Sequence, residues 1–178
     1  MITSARVEAL RELGGFGWVT ALRAPAIAAL AADDGPLQMS LFDQANLAEI
    51  THPDYPGERL VACRNPALAT ERARKRLALL EATDTELTKI VAAVVAGRLN
   101  GAGKIGVRVG KVVSRYKMAK HYTLTITDDT FSYQRNTQDI TAEAALDGLY
   151  VIATTIGPEQ MDAAKVVEIG RASCRERV

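Results

Sequence analysis

The sequence predicts an α/β protein whose helix–strand start and strand–helix end flank a mixed helical and β-hairpin middle. Three observations carry that expectation. "TSARVEALRELGG" followed by "FGWVTAL" reads as a helix running directly into an apolar strand. Towards the other end, "LYVIATT" reads as a buried strand that leads into a helix after Pro158. Between them most of the chain keeps helical spacing, while "YTLTITDDTFSYQR" alternates on either side of a polar turn.

In chain order, the first helix spans residues 3–13. Thr3 or Ser4 can cap it, Val7, Leu10 and Leu13 share one face, and Gly14-Gly15 ends it. The strand at 16–22 follows, bounded by glycine and by Arg23-Ala24-Pro25. No strand precedes that helix to cover it, so the chain is expected to be cut at this end. Residues 25–57 combine a short Ala-rich helix (26–31) with loops around "DDGP" and "HPDYPG". "RLVACR" (59–64) is a strand, and Asn65-Pro66 supplies an N-cap with proline at the first helical position.

Positions 77, 80, 84, 87, 91 and 94 then keep a 3–4 spacing, apolar except at Asp84. Thr83 and Glu86 fit a capping box at that interruption, which predicts two helices, 66–82 and 84–96, stopped by Gly97. "KIGVRVGKVVSRYKMAKHY" (104–122) supports two readings. Ile105, Val107 and Val109 alternate as in a strand, but helical spacing persists for longer, and the helix is preferred. It would gather Lys104, Arg108, Lys111 and Arg115 in a narrow arc beside Ile105, Val109, Val112 and Tyr116. Gly106 and Gly110 would each cost it about 1 kcal/mol. A hairpin (122–135), a short helix "DITAEAAL" closed by Gly148, the strand 149–155 and a last helix through Val167 complete the order.

Residues 168–178, "EIGRASCRERV", are set aside. Written as codons they match the start of a short-read sequencing adapter, so they read as an assembly scar; the rival reading is a basic binding arm. Without them the chain has 19 basic and 19 acidic side chains, and Cys63 as its single cysteine. That composition offers no disulfide framework or zinc cluster and suits a reducing cytoplasm. No apolar run approaches the roughly 20 residues that cross a bilayer, so no membrane role is expected. The remaining 167 residues make about one domain's worth of chain.

Charge is unevenly placed. Residues 1–57 net −4, residues 58–122 net +9, and residues 123–167 net −5. A basic middle between acidic flanks points to a polyanion surface. Two clusters could form it, Arg72, Arg74, Lys75 and Arg76 on one helix and Lys104, Arg108, Lys111 and Arg115 on another. Such residues neutralise phosphates without reading bases; the plain alternative is a solvated helix face.

Other motifs point to no chemistry. "GRLNGAGKIG" departs from a phosphate loop at Arg98 and Ile105, and reads as a loop between helices. Asp128-Asp129 suits a hairpin turn better than a catalytic pair. His52 and His121 lack metal-ligand spacing, and Cys63 reads as a small core residue. No catalytic or metal-binding residue is assigned.

Three strings, "YPGERLVACRNPALATERARKR", "IGVRVGKVVSRYKMAKH" and "AEAALDGLYVIATT", resemble insertion-sequence transposases of the DDE, RNase H-like type. The likeness runs from Ile2 to Val167. It implies a partial RNase H-like core at 1–25 and 149–167 with an insertion domain at 26–148. It also places Met1 at the methionine of an Asp-Arg-Gly-Met stretch and sets the catalytic Asp, Asp and Glu outside this chain. The resemblance thus implies an internal fragment, inactive alone, of a homodimeric parent that uses Mg2+ to cut and join transposon ends. The fragment itself would hold no cofactor and would contribute DNA contacts. The alternative is a free-standing nucleic-acid-binding module built on the basic helices.

Overall fold

The computed structural model describes residues 4–32, 34–42 and 45–175; Met1, Thr3 and Arg177 lie outside them. The described residues are α/β, with six α-helices and two antiparallel sheets. They divide into two compact units, one of residues 1–69 and 148–178, the other of residues 70–147.

The first unit is built on a four-stranded sheet of β1 (Val19–Ala21), β2 (Leu47–Ile50), β3 (Arg59–Arg64) and β6 (Leu149–Thr154). Its order is β1-β6-β3-β2, antiparallel throughout, with Val61 opposite Ile152 and Leu60 opposite Ala153. The two central strands are the two near-continuous apolar runs of the sequence, and both are buried almost end to end. Val61, Cys63 and Ile152 form a core with Val166 and Val167 of α6 (Ala163–Arg175). Leu60, Ala62 and Ala153, at the alternate positions, are buried too. Arg59 joins three segments: it meets Glu49 at 2.8 Å and donates to the carbonyls of Ile156 and Met161 at 2.8 and 3.1 Å.

Four sequence expectations change in this unit. β2 and β3, assigned to the insert by the 26–148 boundary, belong to the same sheet as β1 and β6. The strand expected over 16–22 is only three residues long and half-buried, because it lies at the sheet edge. β2 stands where the sequence predicts loop, being four residues with no clear alternation. The last helix does not stop at Val167. Glu168 pairs with Lys165 at 2.8 Å, and Gly170 lies on the sheet side, where an added Cβ would come within 2.3 Å of Ile152. Residues 168–175 thus continue a helix that the scar reading had ended.

α1 (Ser4–Leu13) forms where expected, and Gly14 and Gly15 follow it with positive φ. Its apolar stripe is not enclosed: Leu13 is 71% exposed. α2 (Ala24–Leu30) buries Ile27 and Leu30 and packs towards β6.

The second unit has its own core. α3 (Pro66–Val95) enters it, and α4 (Ala102–Tyr116), the hairpin β4 (Tyr122–Ile126) and β5 (Phe131–Arg135), and α5 (Thr137–Ala145) complete it. Leu80, Leu87, Ile90 and Val94 of α3 close on Ile105, Val109 and Val113 of α4 and on Tyr122 and Phe131 of the hairpin. Each such large apolar side chain contributes about 2 kcal/mol on burial.

The predicted break at residues 83–84 does not occur, and α3 is one helix of 30 residues. Thr83 is fully buried and its hydroxyl donates back to the Leu79 carbonyl at 2.7 Å. Glu86 pairs with Lys89 at 2.6 Å instead of capping. Asp84 interrupts the apolar stripe because tertiary partners meet it there. The Tyr122 hydroxyl donates to it at 2.7 Å and Arg135 Nε at 3.0 Å. Burial, reinforced by Asp84, pushes the Tyr122 hydroxyl well above its ordinary pKa.

Candidate nucleic-acid interface

α4 has three distinct faces. At 100° per residue, Ile105, Val109 and Val113 point one way, and all three are buried in the core. Lys104, Arg108, Lys111 and Arg115 fall within an arc of about 60° on a second face, and all four are exposed. Gly103, Gly106, Gly110 and Ser114 make the third. A Cβ added to any of those three glycines would meet nothing within 4 Å. The helix reading of 104–122 therefore stands over α4, with Val113 as the buried residue where Val112 and Tyr116 were expected; those two are half-buried.

α4 contains no acidic residue, and among the described residues no carboxylate forms an ion pair with any of its four cations. The row from Lys104 to Arg115 is about 16.5 Å long at 1.5 Å per residue. Arg115 also lies over the Tyr116 ring, 5.5 Å from its centroid.

The helix start is held from the hairpin. Gly101, with φ of 88°, precedes the first turn and donates to the Asp128 carbonyl at 2.7 Å. The Asp128 carboxylate accepts from Ala102 N–H at 2.9 Å. Asp128 is thus a turn residue that also serves a distant helix terminus, where a carboxylate is favoured by the helix dipole. Gly97–Gly101 is the link between α3 and α4, not a phosphate cradle: at least one N–H of the first turn is already taken by Asp128.

The α3 cluster is different. Arg74 and Lys75 both turn to Glu71, at 2.9 and 3.5 Å, and Arg72 is exposed. Arg76 is only 8% exposed. It donates to Asp147 at 3.2 Å and lies 3.5 Å from Glu143. Its place in the phosphate-binding set is corrected accordingly: it is a buried structural cation, because α5 and the turn after it bring two carboxylates over it.

Glu143 is the hub of this cluster. Lys120 pairs with it, and His121 Nε2 lies 3.2 Å from it. Burial pulls the Glu143 carboxyl upward, but the Lys120 hydrogen bond and the charges of Lys120, His121 and Arg76 outweigh that and hold it below the usual carboxylate range. His121 is 1% exposed, and its Nδ1 has no partner.

The two basic clusters are not one patch. The Lys89 hydrogen bond lowers the Glu86 pKa, and the Arg115 charge adds to it, so Arg115 lies near residue 86 of α3. Arg72–Arg76 sit ten to fourteen residues further along α3, about 15–21 Å away. The acidic flank also folds back: residues 70–147 carry 13 basic and 9 acidic side chains, a net +4 where the sequence segment had +9. The α4 row keeps its four cations exposed and without an ion pair among the described residues.

The remaining candidates are structural. His52 accepts from Asp54 N–H at 3.2 Å in its own turn. Cys63 is buried in the core of the sheet unit. Among the described residues no group of three His, Cys, Asp or Glu side chains could hold a metal, and no helix is long and apolar enough to cross a membrane. No family profile, curated protein or solved structure matches the chain.

Proposed function

We propose that this chain supplies a DNA-contacting surface, centred on α4, within a DDE transposase that acts on transposon ends. One observation carries most of the weight: Lys104, Arg108, Lys111 and Arg115 form a single exposed row that makes no ion pair with a carboxylate among the described residues. Four aligned cations on a rigid helix suit a phosphate backbone, where charge neutralisation and counterion release drive binding. The three strings that resemble the transposase family supply the biological setting. On this reading the strands at 19–21 and 149–154 belong to an RNase H-like core, and the catalytic carboxylates and their Mg2+ lie on other parts of a homodimeric enzyme.

Charge reversal tests the surface. In fluorescence anisotropy with a labelled duplex at low salt, K104E/R108E/K111E/R115E should weaken binding by at least about 100-fold, since each lost phosphate contact removes released counterions. Binding unchanged by the four substitutions would remove α4 from the interface. The transposase setting is tested at the gene: an uninterrupted reading frame should place Asp-Arg-Gly immediately before Met1.

A second reading has its own support. Residues 70–147 have a separate hydrophobic core, as a free-standing nucleic-acid-binding module would. Nicking or joining of DNA by a complete gene product favours the first reading; binding without chemistry favours the second.

A further inference from the structure

We infer that α4 docks on the sugar–phosphate backbone of duplex DNA and takes no part in reading its sequence. This rests on the DNA-contacting reading above and specifies its ligand. Base edges are read by side chains that reach into a groove with matched donors and acceptors, Arg or Lys on guanine and Asn or Gln on adenine. Beside its cationic row, α4 offers Gly103, Gly106, Gly110 and Ser114, with open space above the glycines. That face has no side chain long enough to probe a groove. The row itself is four cations at intervals of four, three and four residues, which suits successive phosphates on one strand, and α4 has no Asn or Gln beside them.

The same helix argues against a single strand. Sequence-tolerant binding of single strands relies on exposed aromatic rings on which bases stack. The one aromatic residue of α4 is Tyr116; it is half-buried, packs against the core, and has the Arg115 guanidinium over its ring. A stiff row with no stacking platform fits a stiff, regularly charged partner.

The test uses the whole chain, two labelled 20-base-pair duplexes of unrelated sequence, and one of their single strands, titrated across a salt series. Both duplexes should bind with affinities within about twofold of each other, as expected where phosphates dominate. The slope of log K against log salt should reach about −3.6 for four contacts, and the single strand should bind more weakly. K104Q/R108Q/K111Q/R115Q, confirmed as folded by circular dichroism, should flatten the slope and weaken both duplexes by the same factor. A tenfold preference for one duplex that vanishes in the glutamine variant would overturn the inference, as would tighter binding of the single strand. If the glutamine variant binds every probe as the parent chain does, the DNA-contacting reading falls as well.

Discussion

Two arginines and a lysine look alike in the sequence and differ in the fold. Lys104 and Arg108 stay exposed beside glycines, whereas Arg76 is enclosed by Glu143 and Asp147. No local pattern could have separated them, because the carboxylates that claim Arg76 lie about 70 residues away in the chain. Asp84 shows the same thing in reverse, as an apparent flaw in an apolar stripe that Tyr122 and Arg135 explain. The Glu143 cluster makes a pH-dependent contribution. Its carboxyl sits below its ordinary value of 4.5 when folded, so the folded chain binds fewer protons there than the unfolded one. That stabilisation is complete above pH 4.5 and is lost as pH falls through the lower folded value. Glu143→Gln should therefore melt below the parent chain at pH 7, and the gap in Tm should close on acidification towards pH 3. A gap that widens on acidification would contradict the assignment.

Elements were legible where the pattern was long or sharply bounded. The sequence picks out β3 to the residue, β6 to within one residue and the hairpin in full, since apolar runs flanked by glycine or proline leave little choice of boundary. It splits α3 in two, because a capping box reads as a start signal even when the following residues are held by tertiary partners. It stops α6 early, having treated Glu168–Arg175 as foreign. α4 is the element whose composition fits its packing least well. Gly106 and Gly110 touch nothing that an extra methyl would disturb, and neither has a positive φ. Each costs the helix about 1 kcal/mol relative to alanine. Gly106→Ala and Gly110→Ala should each raise stability by about that much in urea unfolding. Loss of stability would mean that an unseen neighbour occupies the face.

At the scale of the whole molecule, charge bookkeeping by sequence segment misled in one respect and held in another. The −4, +9 and −5 segments do not persist as separate surfaces, because the hairpin and α5 return acids to the basic helices. The excess of positive charge on α4 does persist. Residues 47–64, which the resemblance places in the insert, contribute β2 and β3 to the same sheet as β1 and β6, a pairing that no local pattern announces. The sheet unit should tolerate loss of the other. With residues 67–147 replaced by a two-residue turn, the chain should still give a β-type circular dichroism spectrum and a cooperative melt. A non-cooperative melt would show that the four strands depend on what was removed.

The peptide N–H of Asn65 donates to the carbonyl of Gly148 at 2.8 Å, and Gly148 has a φ of 75° with no room for a Cβ beside the Asn65 oxygen. More than eighty residues depart after Asn65 and come home at Gly148, where this hydrogen bond closes the ladder of β3 and β6. A cassette sewn in at one point can be lengthened, traded or recharged while the sheet keeps its strands in register. Changes to its surface can accumulate there without unpicking the fabric that holds it.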